Sequence, residues 1–241
     1  MWSIEQLRHF ARDGYVVVPG VVPPDVVAAA NARIDGLLAE RPPTPGHTGH
    51  HFYFEPLAAE PALAALLLGT RAFSLAAGTT APRPLRTPDQ VQVALTFPPF
   101  DHRPGRGHID GVPPGPDGRP GTFTLLAGFV LSDQTADDMG NLWVWPGTHR
   151  QIAAHFAAHG PDSLVAAGGY PPADHSRPVQ VHAAPGDLVL ASYLLSHNIG
   201  GNTSPVLRRT AYFRLMTDVH ESTWRDCVRD ELYEFRPACA D

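Results

Sequence analysis

Apolar positions change their period once along this chain. Up to about residue 70 they recur at intervals of three and four, as on amphipathic helices; from residue 90 they alternate, as on half-buried strands. A first helix is predicted over residues 3–13, with Ile4, Leu7 and Phe10 on one face, Ser3 as N-cap, Gln6 as its reciprocal partner and Gly14 as the stop. The β-branched run 15–18 reads as a strand closed by Pro19 and Gly20. Pro24 and Asp25 open a second helix to Glu40, with an apolar stripe of Val26, Val27, Ala30, Ile34, Leu37 and Leu38. Residues 41–51 read as a Pro/Gly/His loop and 60–68 as a third helix ended by Gly69. Further strands are predicted at 90–97, 122–131, 141–145, 179–183, 187–190 and 209–217, with a short helix at 151–158. The stretches 98–121 and 160–178 are Pro/Gly-rich loops, and the tail after Glu221 is short helix or coil.

Helices at the front followed by short strands predict one domain over residues 1–241. It is expected to be mainly β with flanking helices: a double-stranded β-helix, that is a jelly-roll or cupin-like barrel, on which helices of about residues 1–70 pack. The 26 prolines fit that expectation, since proline limits long helices and favours turns and edge strands. A hydrophobic content of 43% supports a real core, and 17% charged residues argue against disorder. The net charge of −6 speaks against a general nucleic-acid binder. Cys227 and Cys239 form no CxxC pair, so a Cys-ligated zinc or iron–sulfur centre is not expected, and both read as free thiols of a reducing compartment. The start, MWSIEQLRHF, lacks a basic region followed by an apolar run, and the longest apolar stretch, near Leu63–Leu68, is too short to span a bilayer. A soluble, cytoplasmic protein with no membrane or nucleic-acid partner is expected; the oligomeric state stays open.

The 98–121 loop carries the first chemistry. On extended backbone, residues two apart point the same way, so His108 and Asp110 of His108-Ile109-Asp110 can meet one metal ion. His197 is a third candidate, remote in sequence. Two histidines and one carboxylate form the facial triad of non-haem iron(II) oxygenases, which leaves the opposite face of the ion open for a co-substrate and O2. An HxD pattern alone is weak in a chain of 13 histidines, and as an isolated motif it reads more readily as loop polar residues than as ligands. Its position between two predicted strands, flanked by Gly107 and Gly111, strengthens the ligand reading.

Four stretches give the chain a family resemblance: FARDGYVVVPGVVPPDVV (10–27), HIDG (108–111), GNLWVWPGTHR (140–150) and PGDLVLASYLLSHNIGGNTSPVLRR (185–209). In this order they resemble the phytanoyl-CoA dioxygenase family of Fe(II)/2-oxoglutarate oxygenases. The resemblance implies a jelly-roll core, Fe(II) held by His108, Asp110 and His197 as catalytic centre, and 2-oxoglutarate and O2 as co-substrates. It implies oxidation, by default hydroxylation, of a small organic metabolite with release of succinate and CO2; desaturation, cyclisation and epoxidation start from the same centre. Related halogenases have Gly or Ala in place of the carboxylate, so Asp110 disfavours halogenation.

Arg208, eleven residues after His197, matches the family's 2-oxoglutarate arginine; its fork suits a carboxylate. Its neighbour Arg209 is expected to face the other way. Several family members carry a hydroxyl two residues after the distal histidine; Ile199 stands there, leaving Thr210 or Tyr212 as substitute donors. Gln92 and Thr124, on the strands flanking the HxD loop, are candidates for the co-substrate site, or are ordinary barrel-lining polar residues. His102, Arg103 and Arg106 are candidates for an anionic substrate group or a solvated loop, and Trp143, with Trp145, for pocket lining or core. His47, His50 and His51 suggest a pocket lining or a lid over the barrel mouth, with a second metal site as the less favoured reading; His149 reads as structural. Two other functions compete: a non-catalytic jelly-roll binding protein with a degenerate site, and a cupin-like metalloenzyme without 2-oxoglutarate.

Overall fold

The structure, a computed structural model, describes residues 2–111, 118–163 and 170–235. Helix α1 (Ile4–Asp13) forms where its capping box predicts: Ser3 Oγ accepts from Gln6 N at 3.1 Å and Gln6 Oε1 accepts from Ser3 N at 3.1 Å. Gly14 ends it at φ +84, a left-handed conformation that suits glycine. Strand β1 (Tyr15–Val18) and helix α2 (Pro24–Glu40) follow as expected, the helix burying Val27, Ala30, Ile34 and Leu37. Next come β2 (Gly49–Pro56), α3 (Pro61–Leu68), α4 (Ala72–Thr80), β3 (Gln90–Phe97), β4 (Leu125–Val130) and β5 (Leu142–Val144). The chain continues through α5 (Thr148–His159), β6 (Val179–Gln180), β7 (Leu188–Ser192), β8 (His197–Ile199), β9 (Arg208–Leu215) and α6 (His220–Cys227).

Among the described residues, nine strands form two sheets: a six-stranded antiparallel sheet ordered β1-β7-β4-β9-β3-β2 and a three-stranded sheet ordered β6-β5-β8. The large sheet has two distinct faces because side chains alternate along a strand. Val91, Val93 and Leu95 of β3, Leu125, Ala127 and Phe129 of β4, and Ala211, Phe213 and Leu215 of β9 join the core shared with α1–α4. The intervening Ala94, Leu126, Val130 and Tyr212 face a second core with β5 and α5. Functional side chains lie on this second face.

The fold corrects the expected mainly β, jelly-roll or cupin-like barrel. No strand of one sheet pairs with a strand of the other among the described residues, so the sheets are not closed into a barrel. Helices hold more of the described residues than strands do. The architecture is a mixed α/β, double-stranded-β-helix-like fold with flanking helices. Several predicted strands are shorter than their apolar runs: 122–131 contracts to β4 and 179–183 to β6. Prolines 178 and 185, which lack an N–H donor, bracket the latter run. Helix α4 escapes prediction because AFSLAAGTT lacks a polar face to set the helical period; its small Ala72, Ala76, Thr79 and Thr80 are buried. Part of the predicted 41–51 loop is the start of edge strand β2, whose Phe52 and Phe54 are exposed. No single helix among the described residues is long and apolar enough to cross a membrane.

His149 is structural. Its Nε2 donates to Ala11 O at 3.1 Å, tying α5 to α1, and a Cβ on Gly14 would stand 2.7 Å from its Nδ1. Burial is the main cause that pulls its pKa down to about 4. Between that value and the unfolded one near 6.5, the unfolded chain takes up a proton that the folded chain refuses, so stability falls as pH drops through this window. The His149 contribution should be about 2 kcal/mol smaller at pH 5 than at pH 8. Urea unfolding at the two pH values should show this loss in the wild type and a smaller loss in His149→Gln. In the α2 core, Ile34→Ala should cost about 2–5 kcal/mol by the same method.

Candidate metal centre

His108 and His197 meet through their backbones. His108 N donates to His197 O and His197 N donates to His108 O, each at 3.0 Å, making an antiparallel bridge outside the regular strands. Residues that exchange both bonds present their side chains to the same side, and the two rings lie 4.8 Å apart. Two glycines permit this approach. A Cβ on Gly107 would lie 2.6 Å from the Trp145 ring and 2.8 Å from Ser196 Cβ. Gly111 has φ +82, and a Cβ there would lie 2.4 Å from Gly121 O.

Asp110, two residues past His108, completes the group: its Oδ1 is 3.6 Å from both His108 Nε2 and His197 Nε2. The ligand atoms of His108, Asp110 and His197 lie within 4.8 Å of one another. His197 Nδ1 faces Leu195 O at 3.0 Å; a carbonyl only accepts, so Nδ1 carries the proton and Nε2 keeps its lone pair for a metal. Burial opposes the Asp110 charge, but the adjacent His108 and His197 rings and the Arg214 charge outweigh it and hold the carboxyl well below its usual range. Burial likewise opposes charging His197, and Asp110 reverses the effect, raising its pKa.

The three ligands open on a cavity of about 120 Å³, whose wall includes His50, Phe52, Gln92, Leu126, Tyr212 and Arg214. The two-residue period of β9 puts Arg208, Thr210, Tyr212 and Arg214 on the site face of the sheet and sends Arg209 to the helices, where it pairs with Asp35 at 2.7 Å. Arg208 is 1% exposed; its Nη1 donates to Ala94 O at 3.0 Å and its Nη2 to Tyr212 Oη at 2.8 Å. Its Nε has no partner, and no carboxylate pairs with it among the described residues. Gly140, at φ +78, packs on it: a Cβ there would stand 2.7 Å from Arg208 Cγ. His50 lines the same cavity, its Nδ1 3.3 Å from Thr96 Oγ1, and burial first, then the Arg208 charge, lower its pKa to about 4. It is therefore neutral at physiological pH.

Gln92 also lines the cavity, where its Oε1 accepts from Arg214 Nη2 at 2.8 Å. Thr124 does not: its hydroxyl accepts from Thr217 N at 3.0 Å and stands 3.5 Å from His220 Nδ1, in a separate cluster. There, Glu234 pairs with His220 Nδ1 at 2.8 Å and with the Thr217 hydroxyl. Cys227 joins these two ligand-type residues within 4.8 Å. Burial, reinforced by the Glu234 charge, pushes the Cys227 thiol up, so it is not a reactive thiolate. Cys239, its expected companion, lies outside the described residues.

The substrate-loop candidates are dispersed. His102 stacks on Phe100 at 5.3 Å, Arg103 pairs with Asp138 at 2.9 Å on the surface, and the Arg106 carbonyl accepts from Asn198 Nδ2 at 3.1 Å. None of these three lines the cavity, nor does Trp143, which is buried against Gly200. The His47, His50 and His51 trio divides: His50 faces the cavity, whereas His51 packs on Tyr53 at 4.8 Å. Thr210 takes a hydrogen bond from Gln134 Nε2 at 3.2 Å instead of reaching Arg208. Arg214 escaped the sequence reading. Counting by twos from Arg208 along the predicted strand was the available signal.

Two imidazole nitrogens, one carboxylate and an open side suit Fe(II), and the buried, carboxylate-free Arg208 suits an anion beside it. This arrangement defines a mononuclear 2-His-1-carboxylate protein on a double-stranded-β-helix-like fold. Residues 113–210 match the model of the phytanoyl-CoA dioxygenase (PhyH) family. No curated protein matches the chain in sequence. Among solved structures, HygX from Streptomyces hygroscopicus with nickel and 2-oxoglutarate bound is similar at TM-score 0.63 and 19% identity, over 90% of this chain and 88% of that one. The epimerase SnoN in complex with Fe3+, alpha ketoglutarate and nogalamycin RO is similar at TM-score 0.61 and 22% identity, over 88% and 82% of the two chains. The carbocyclase SnoK from nogalamycin biosynthesis is similar at TM-score 0.59 and 20% identity, over 90% and 84%. At these identities the likeness establishes the fold. With the family match over residues 113–210 and the triad, the chain is similar to the PhyH-like 2-oxoglutarate/Fe(II) oxygenases.

Replacing His197 with alanine removes one of the three metal-ligand atoms. Divalent-metal affinity measured by calorimetry should fall by about 100-fold or more, with thermal stability of the metal-free protein little changed.

Proposed function

We propose that this protein oxidises a small organic molecule, by hydroxylation, using Fe(II), 2-oxoglutarate and O2. The observation that carries the reading is the pairing of an intact triad with a buried arginine that has no carboxylate partner among the described residues. A buried cation without a carboxylate is costly unless a ligand supplies one. Arg208 is linked to the cavity onto which the three metal ligands open through Tyr212, which lines it.

His108, Asp110 and His197 would hold the iron, which with 2-oxoglutarate and O2 supplies the oxidising power, releasing succinate and CO2. Arg208 binds the distal carboxylate of the co-substrate. Tyr212 holds the guanidinium in place by accepting from Nη2. Neutral His50, on the same cavity wall, takes the place of the hydroxyl absent at Ile199. Phe52, Leu126, Leu142 and Ile199 give the cavity apolar walls that limit water. HygX is described with 2-oxoglutarate bound and SnoN with alpha ketoglutarate, which supports the same co-substrate here. Hydroxylation rests on Asp110, whose presence keeps a ligand position from halide. SnoK and SnoN are a carbocyclase and an epimerase, so product mass is the deciding measurement: one oxygen gained for hydroxylation, two hydrogens lost for cyclisation, no change for epimerisation.

Anaerobic protein loaded with Fe(II) should develop a weak visible charge-transfer band on addition of 2-oxoglutarate, and succinate should form once O2 is admitted. Arg208→Met should weaken 2-oxoglutarate binding by about tenfold to 100-fold through loss of charge-assisted hydrogen bonds, leaving metal binding in place. Folded, metal-loaded wild type giving neither band nor succinate would sink the assignment. Gly140→Ala, which pushes a methyl group into the Arg208 stem, should weaken 2-oxoglutarate binding more than metal binding, as read by titrating the same band.

A further inference from the structure

We infer that Arg214 is a positioning residue that holds Asp110 as a one-oxygen metal ligand. The inference rests on the iron and 2-oxoglutarate reading above and adds a residue that reading does not use.

The two oxygens of Asp110 are treated differently. Oδ1 points at both histidines, 3.6 Å from each Nε2. Oδ2 is turned to Arg214, accepting from Nε at 2.9 Å and from Nη2 at 2.7 Å. The guanidinium is itself held: Nη2 also donates to Gln92 Oε1 at 2.8 Å, and the Phe123 ring lies 5.8 Å from its central carbon. Its backbone is in the middle of the large sheet, where Arg214 on β9 stands opposite Leu126 on β4. The arginine therefore fixes the carboxylate plane and occupies Oδ2.

An unrestrained aspartate can chelate a metal through both oxygens. Two imidazoles, a two-point carboxylate and a two-point co-substrate would then fill an octahedral ion and leave no position for O2. With Oδ2 committed to Arg214, one position stays free. The positive charge also offsets that of Asp110, so the loaded centre presents more positive charge to a dianionic co-substrate. Arg214 borders a second cavity as well, of about 240 Å³, lined in part by Phe123, Met216 and Trp224. A group bound there would touch the residue that aims the metal ligand.

Cobalt(II), whose visible d–d bands respond to coordination number, is the probe. Wild type, Arg214→Met, Arg214→Lys and Gln92→Ala would each be loaded with Co(II), their spectra recorded, and 2-oxoglutarate affinity measured by calorimetry, with circular dichroism to check folding. Arg214→Met should change the intensity and position of the d–d bands and weaken 2-oxoglutarate binding by about tenfold, while still binding Co(II). Arg214→Lys, which can return one charged donor to Oδ2, should recover part of both. Gln92→Ala, which loosens the guanidinium without removing it, should move the spectrum the same way by less. A merely structural arginine would alter melting but not the Co(II) spectrum. Arg214→Met with a wild-type spectrum and 2-oxoglutarate affinity within about twofold of wild type overturns the inference. If that variant does not fold, wild-type spectra for both Arg214→Lys and Gln92→Ala overturn it instead. Wild-type protein that binds neither Co(II) nor 2-oxoglutarate fails the proposed function, and this inference with it; normal wild-type binding with unchanged variants fails this inference alone.

Discussion

The paired backbone hydrogen bonds between His108 and His197 are the constraint on which the site depends. Neither histidine is positioned by a long element: one sits in a Pro/Gly-rich loop and the other opens a three-residue strand. Their exchange of N–H and C=O partners turns two remote segments into one short ladder and sets both rings on one side. Asp110 follows by the two-residue repeat of extended chain. Gly107 matters because any side chain there would enter the Trp145 ring and hold the loop away. Trp145 is in turn fixed, its Nε1 donating to His175 O at 2.9 Å.

The large sheet contributes the second half of the site through parity alone. Its odd-numbered residues on β3, β4 and β9 seal the helical core; its even-numbered residues face the metal cavity. Apolar packing on one face thereby decides which polar groups reach the other. Tyr212 and Arg214 line the cavity, and Arg208 lies buried on the same face, because Ala211, Phe213 and Leu215 are committed to the core. A slip of one residue in β9 would bury Arg209 and send Arg208 to the helices, so the register is held by core burial on one side and the guanidinium network on the other. The two arginines divide the electrostatic work. Arg214 balances Asp110, whereas among the described residues Arg208 has neutral partners, a carbonyl and a phenol.

The open arrangement of the two sheets fits this division. A closed barrel requires every strand to pair around the ring. Here β5, β6 and β8 are short; β8 carries His197, and a loop brings His108 and Asp110 to it. The helices that the alternating pattern under-represents, α4 and the first turn of α5, shield the sheet on either side. His50 reaches the cavity because β2 adds to the sheet edge beside β3, placing His50 opposite Thr96.

Local signals in the chain were sufficient for α1, β1, α2, α3 and β3, where capping residues and apolar period agree and the elements form within a residue or so of the expected bounds. The metal ligands were legible for a related reason: HxD is a local geometry, and the resemblance supplied His197. The resemblance pointed to Arg208, which the structure buries on the cavity side of the sheet. Tertiary structure alone decided what depends on partners distant in the chain. Strand lengths, the open sheets and edge strand β2 follow from which backbone groups find partners, and no window of sequence contains that information. Thr124, a candidate for the co-substrate site or an ordinary barrel-lining residue from its strand, faces His220 because the sheet brings α6 over that end. Arg214 was an ordinary strand arginine until folding set Asp110 2.7 Å from it. Sequence specifies which groups can ionise, donate or pack, because those properties belong to single residues and short repeats. Which of them meet is set by the chain's global burial of apolar surface, and only the folded structure contains that answer.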